Sequence, residues 1–197
     1  MLKGIEYDTY EAGHFLVVMP DGISLDILQY KGLKVKKLID IVHRYGGVLG
    51  PAHPCGEPFL SVFSTGRYKR DKSLATQVDF IEGFNCGEDD RANAEAVSIA
   101  KKYFKTITAG SDSHWKECVG LAYTVFESDI RCNNDFIEYV KSRKSTVISG
   151  KAYNGTIKAR LGKFNKLLVY GFFPYNKLGA LRYMRLRRKA LKELEKS

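Results

Sequence analysis

Of 197 residues only five are Pro, four are Cys and one is Trp, and each scarcity removes a class of protein. The cysteines, Cys55, Cys86, Cys118 and Cys132, include no Cys-x-x-Cys pair, which excludes a zinc ribbon and a disulfide scaffold. They read as reduced thiols, most of them small buried hydrophobes. Long apolar runs are also lacking: the longest are Phe15 to Met19 and Leu167 to Pro174, the second broken by Gly171, whereas a membrane-spanning helix needs about 20 apolar residues. The opening MLKGIEYDTY carries acids and has neither the basic start nor the apolar middle of a secretory signal. These absences predict a cytoplasmic protein with no membrane partner.

What is present is an ordinary globular composition, 44% hydrophobic and 27% charged, with a length that fits one domain of roughly 100 to 200 residues. The net charge of +10 is not spread evenly. Residues 1–150 hold 19 Lys+Arg against 20 Asp+Glu, and residues 151–197 hold 13 against two. The expected division is therefore a globular part over 1–155 and a basic C-terminal extension over 156–197, packed on the domain or flanking it.

Along the chain, Gly4 to Tyr7 and Phe15 to Met19 read as strands joined by a turn at Glu11, Ala12 and Gly13. Val35, Leu38, Ile39 and Val42 form one apolar stripe of a helix that Gly46-Gly47 stops. Val48 to Ala52 is a strand, and Pro54 predicts an extended His53 at its end. Cys55 to Ser73 reads as a long polar loop, Val78 to Phe84 as a strand, and Arg91 to Phe104 as a helix turning Ala96, Val97, Ala100, Tyr103 and Phe104 inward. Thr106 to Ala109 is a strand, Asn133 and Asn134 cap a helix holding Phe136, Ile137 and Val140, and Ser145 to Ser149 resumes strand. This alternation favours an α/β domain with a largely parallel sheet. Lys177 to Lys196 reads as a basic helix with Leu181, Met184, Leu191 and Leu194 inward and Arg182, Arg185, Lys189, Lys192 and Lys196 on the solvent face.

Three of the four histidines, His14, His53 and His114, stand in small polar clusters beside Gly, Pro or Asp; His43, mid-helix, reads as a surface or satisfied histidine. Glu6, His14, His53, Asp112 and His114 all fall near strand ends, where α/β proteins gather ligands. Carboxylate and imidazole together suit Zn, Mn or Fe. Asp112 and His114, two apart in an extended or turn segment, can enter one pocket and touch adjacent ions. Singly, each motif has a plainer reading as a loop, a turn or an Asx cap. A serine hydrolase built on Ser113 and His114 fails, because neighbouring residues cannot readily form the nucleophile-to-base bond and no Gly-x-Ser-x-Gly elbow occurs.

In order, GIEYDTYEAGHFLVV, GGVLGPAHP, VDFIEGFN, and TAGSDSH followed by VGLAYTVF resemble the PHP (polymerase and histidinol phosphatase) family of metal-dependent phosphoesterases. The likeness runs from Gly4 to Phe126, with Ser145 to Tyr153 similar to the family's closing part. It implies a distorted (β/α)7-type barrel, up to three divalent transition metal ions, and hydrolysis of phosphate esters; the basic C-terminal segment is consistent with a nucleotide or oligonucleotide substrate. Residue by residue, Glu6 matches the bridging carboxylate, His14 and His53 the histidines sharing one metal with it, Asp112 a ligand of the second metal and His114 of the third. On this pattern Glu6, Asp112 and His114 are the catalytic candidates. Glu82 and Asn85 fall where the resemblance implies support of the ligands from behind.

Family members carry a His-x-His motif and further ligands ahead of the Gly-Ile-Glu segment, and this chain starts three residues before Gly4. The expectation is an N-terminally truncated barrel with the Glu6, His14, His53 site complete, the Asp112 site half built and His114 nearly alone. Two accounts fit: a fragment or misplaced start with the missing part encoded upstream, or a genuine short protein that pairs with another chain or has lost activity. Arg67, Lys69 and Arg70 are candidates for receiving a substrate phosphate, against a plainer reading as solvated surface. The competing class is a non-enzymatic PHP-like remnant or nucleic-acid-binding module using the basic C-terminal segment.

Overall fold

The computed structural model describes residues 1–58, 60–153, 171, 174–175 and 177–196. Of the extension expected over 156–197, residues 156–170 lie outside the described residues.

The chain opens with a hairpin. β1 (Ile5–Asp8) and β2 (His14–Val18) are joined by five residues, too few for the crossover that parallel strands require, and they pair antiparallel with Glu6 opposite Leu16 and Asp8 opposite His14. Gly13 closes the turn at φ +76° under the Leu60 carbonyl, which a Cβ would meet at 2.2 Å. α1 (Val35–Arg44) follows, buries Val35, Leu38, Ile39, Ile41 and Val42, and ends where Gly46 turns left-handed at φ +79°. The chain then returns as β3 (Val48–Pro51), antiparallel to β2.

Asp79 ties this sheet to the next. Its N–H donates to the Leu49 carbonyl (2.8 Å), and its carboxylate accepts from Leu49 N–H and contacts His43 Nε2, each at 2.9 Å. β4 (Phe80–Asn85) and β5 (Thr106–Gly110) pair in parallel across α4 (Asp90–Lys102). That helix is capped by Asp89, whose side chain accepts from Ala92 N–H at 2.7 Å. β6 (Ala122–Phe126), α5 (Asn133–Lys141) and β7 (Thr146–Gly150) complete the domain, with β6 and β7 antiparallel. Tyr7, Phe15, Leu38, Ile41, Leu49 and Ile81 fill the main core, while Val48, Phe80, Phe136, Ile137 and Val140 form a smaller one under α5.

This architecture corrects the fold expectation. Among the described residues the domain is mixed α/β with a three-stranded and two two-stranded sheets, none closed into a barrel, so they form no (β/α)7 barrel, and only β4 and β5 pair in parallel. The short hairpin dictates the first antiparallel pairing, and a helix between two strands, as in β6-α5-β7, does not by itself oblige them to run the same way.

Local expectations change too. Residues 55–73 are not a plain loop: they hold a 3-10 turn (Val62–Ser64) and α2 (Gly66–Arg70), followed by α3 (Leu74–Gln77), with Val62, Phe63 and Tyr68 buried. α4 stops at Lys102, and Phe104, left-handed at φ +52°, is 78% exposed rather than inward. Among the described residues no helix is long and apolar enough to cross a membrane.

Cys132, not an asparagine, is the N-cap of α5. Asn133 instead reaches across the molecule, accepting from Lys3 N–H and donating to the Lys3 and Met19 carbonyls, all at 2.8 Å. This ties the start of β1 to α5. Because each buried group left unpaired costs about 1–3 kcal/mol, Asn133→Ala is expected to destabilise the protein by roughly 2–4 kcal/mol. Urea unfolding checks it, and a loss below about 0.5 kcal/mol would mean water replaces the side chain without penalty.

The last described helix, α6 (Met184–Leu194), extends a helical stretch at 177–182. Ala190 is buried, and Leu191 and Leu194 pack on the main core, but Leu181 is 52% exposed, not inward.

Candidate metal centre

Glu6 and Asp8, two apart on β1, share one side of the strand, while Tyr7 between them enters the core. The hairpin then sets His14, the first residue of β2, opposite Asp8. His14 therefore reaches the site from the amino end of its strand, not the carboxyl end that a parallel sheet would give.

His53 arrives from beyond β3 in an unexpected conformation. Its φ is +31°, left-handed rather than extended, a state that costs on the order of 1–3 kcal/mol in a non-glycine residue. Glu82 on β4 holds it there, its Oε2 accepting from His53 N–H at 2.6 Å and from Asn85 Nδ2 at 3.0 Å. Asn85 is in turn fixed by Asn93, whose Oδ1 accepts from Asn85 N–H at 2.9 Å. On the imidazole itself, Nδ1 lies 3.3 Å from the hydroxyl of fully buried Ser61, leaving Nε2 to face the cluster.

Three donor atoms meet in this way. Glu6 Oε1 is 2.9 Å from His14 Nδ1 and 3.3 Å from His53 Nε2, and the two nitrogens are 3.3 Å apart. For Zn²⁺ bound at about 2.0–2.1 Å the edge of a ligand tetrahedron is ~3.3 Å. The observed triangle is thus sized for one face of such a tetrahedron, and two imidazoles with a carboxylate are donors that Zn, Mn or Fe accept. Among the described residues these three are the group of His, Cys, Asp and Glu side chains close enough to share an ion.

The electrostatics agree. Hydrogen bonds from His14 and His53 hold the Glu6 carboxyl well below the usual carboxylate range, against a smaller opposing effect of burial. Burial alone would depress His53, yet Glu6, Asp112 and Glu82 together outweigh it and raise its pKa. Burial pushes Glu82 up to about 7, although bonds from His53 and Asn85 pull the other way.

A cleft of about 440 Å³ opens over the triad, lined also by Asp8, Glu57, Leu60, Ser61, Gly87, Glu88, Asp112 and His114. All five candidate ligands therefore border one cleft, but Asp112 and His114 stand outside the three-donor group. Asp112 is left-handed at φ +47°, and His114, its side chain 80% exposed, lies with Nδ1 3.1 Å from the Asp112 carbonyl and 3.8 Å from its carboxylate. A carbonyl only accepts, so that contact puts the proton on Nδ1 and leaves Nε2 as the basic atom.

Arg70, exposed on α2, does not line the cleft, and the Arg67 side chain lies outside the described residues. Asp8, Glu57 and Glu88 do line it and were not foreseen. The two-residue alternation from Glu6 on a strand was a signal for Asp8, whereas Glu57 and Glu88 sit in turns without periodicity. The cleft thus carries five carboxylates and three imidazoles, and among its described lining residues no Lys or Arg. Such a surface attracts cations and repels phosphate unless cations are bound.

Residues 90–145, from the start of α4 to just beyond α5, match a family model described as PHP-associated. Through this segment the chain is related to PHP-associated proteins. Its fold is also similar to that of the crystal structure of PsfC from Pseudomonas syringae PB-5123, with 18% sequence identity and a TM-score of 0.51. That likeness takes in 86% of this chain and 65% of PsfC, so the chain spans just under two thirds of the solved relative. No curated protein matches the chain significantly. The matched residues include Asp112 and His114 but not Glu6, His14 or His53; all five border the same cleft.

Proposed function

We propose that the chain carries the metal-binding cleft of a phosphoesterase that hydrolyses phosphate esters with the help of divalent transition metal ions. The observation that carries this reading is the Glu6, His14, His53 triangle at the floor of an acidic cleft, on a chain related to PHP-associated proteins. Zn, Mn and Fe fit the donor set, held first by these three residues, with Asp112 and His114 beside them.

When bound there, a divalent ion supplies charge that acidifies water and neutralises phosphoryl oxygens, the main requirement of such displacements. The protein's own residues do the rest. Glu82 and Ser61 fix the pose and tautomer of His53, and Glu6 stays ionised between two imidazoles. His114 donates from Nδ1 to the Asp112 carbonyl, which leaves the lone pair of its Nε2 to take a proton from water or return one to the leaving oxygen. Asp8, Glu57 and Glu88 keep the cleft negative, so phosphate is admitted only once cations have entered.

The test is elemental analysis of gel-filtered protein prepared without chelator, paired with hydrolysis of p-nitrophenyl phosphate and its bis ester. The expected result is at least one ion per chain and turnover that vanishes in excess EDTA and returns with Zn²⁺ or Mn²⁺. Hydrolysis undiminished by chelator would overturn the reading, as would the absence of any metal-supported turnover.

A further inference from the structure

We propose that the outer face of α6 is a docking surface for the phosphodiester backbone of a nucleic acid. This surface is separate from the metal cleft, and the proposal holds whether or not the cleft hydrolyses phosphate esters.

α6 has two opposed faces. On the inner one Ala190 is buried, Leu191 and Leu194 pack on the main core, and Arg187 donates to the carbonyls of Lys31 and Ala180 (2.7 Å for the second). Tyr45 closes this contact by donating to the Leu194 carbonyl at 3.4 Å. On the outer face Arg185, Arg188, Lys189 and Lys192 are all exposed, at the three- and four-residue spacings that align side chains along one helix side. Exposed Arg182 precedes them and exposed Lys196 follows. From Arg185 to Lys192 the helix rises ~10 Å, the axial length of about three phosphates of one strand.

Among the described residues Arg182, Arg185, Arg188 and Lys192 form no ion pair, and Lys189 has a 3.9 Å contact with Glu193. A solvated helix face ordinarily intersperses both signs. Here residues 151–197 hold 13 cations against two acids while the rest of the chain is balanced, so the excess is confined to one segment, and six of its cations, Arg182, Arg185, Arg188, Lys189, Lys192 and Lys196, are exposed on or beside the outer side of α6. It attracts a polyanion.

A nucleic-acid backbone fits better than a lipid surface. A helix that binds a bilayer must sink its own apolar face into the acyl boundary, and the apolar face of α6 is already occupied by the domain. Three of the outer cations preceding Lys189 are arginines, whose fork takes phosphate oxygens in pairs. Exposed Leu178, Leu181 and Leu186 flank the face, which makes an anionic bilayer the competing occupant. The basic segment also begins near the cleft: Lys177 stands 3.7 Å from the centroid of the Tyr10 ring, and Lys31, against which Gly179 packs, pairs with Asp8 at 3.3 Å.

The test is fluorescence anisotropy of a labelled oligo-dT on the full chain in EDTA, across a potassium chloride series, so that metal chemistry plays no part. With about four phosphates neutralised on a single strand, the slope of log affinity against log salt is expected near −3. The Arg185→Glu/Lys189→Glu/Lys192→Glu variant, altered only at exposed positions, should bind at least about 30-fold more weakly with a slope near −1. A Lys101→Gln/Lys116→Gln control should stay within about twofold of the parent. Should the charge reversals alter the circular dichroism spectrum, Arg185→Ala/Lys192→Ala serves instead, with an expected loss of about fivefold. Parent-like affinity in the well-folded variant would overturn the proposal. So would binding to phosphatidylserine vesicles that excess oligonucleotide fails to displace.

Discussion

In the His53→Ala variant, affinity for Zn²⁺ or Mn²⁺ at the triad is expected to fall by more than about 100-fold, since even residues that merely orient a ligand cost about 10–100-fold when removed. Two of the three edges of the donor triangle end on His53 Nε2, and without it only the 2.9 Å pair of Glu6 and His14 remains, one donor short of the three protein ligands an ion needs. His114→Ala should leave this first ion within a few-fold of the parent, because His114 lies outside the three-donor group. Isothermal titration of chelator-stripped protein separates the two variants. Equal losses in both would mean that the ion sits between His53 and the Asp112 side of the cleft instead of in the triangle.

The first helix and the site histidines were legible in the sequence for different reasons. The stripe of Val35, Leu38, Ile39 and Val42 reports burial directly, and all four are buried. Gly46 marked the end of α1 because a left-handed residue was needed there. His14, His53 and Glu6 share no such periodicity; their meeting rests on long-range pairing, and only their order in the chain hinted at it. Parallel pairing was legible for β4 and β5, where a helix of ordinary length crosses between the two strands. It was not legible for β6 and β7, because the same strand-helix-strand string pairs either way.

His53 shows how tertiary contacts override a local rule. Pro54 argued for an extended predecessor, and in isolation that argument holds. In the folded chain the buried Glu82 oxygen captures His53 N–H and turns the residue left-handed, a partner that stands 29 residues away in sequence. The basic C-terminal helix was legible in part: Leu191 and Leu194 pack on the core as its spacing predicts, whereas Leu181 is exposed. Its outer cations face solvent, so packing on one side leaves the charge of the other side available.

Glu82→Gln is expected to make the metal-free protein more stable at pH 8 by up to about 3 kcal/mol, the worth of a carboxyl raised from its ordinary value to about 7 at ~1.4 kcal/mol per unit. A carboxyl raised by folding binds its proton more tightly in the native chain than in the unfolded one. Its contribution is complete below the unfolded value near 4.5 and is lost as pH rises through about 7. The glutamine carbonyl oxygen still accepts from His53 N–H and Asn85 Nδ2, so the variant keeps the left-handed turn and sheds only the buried charge. Urea unfolding at pH 5 and pH 8 should show a fall in stability for the parent that the variant lacks, beyond what Glu6 and His53 impose on both. Their windows differ in direction: the lowered Glu6 loses its contribution as pH falls, and the raised His53 loses its own as pH rises. Identical pH slopes in the two proteins would show that Glu82 is solvated in solution. The same charge raises the basicity of His53 and makes it a better donor, so the stabilised variant should bind Zn²⁺ up to about 10-fold more weakly. A carboxylate that costs stability is retained where the cation it helps to hold returns more than that cost on binding.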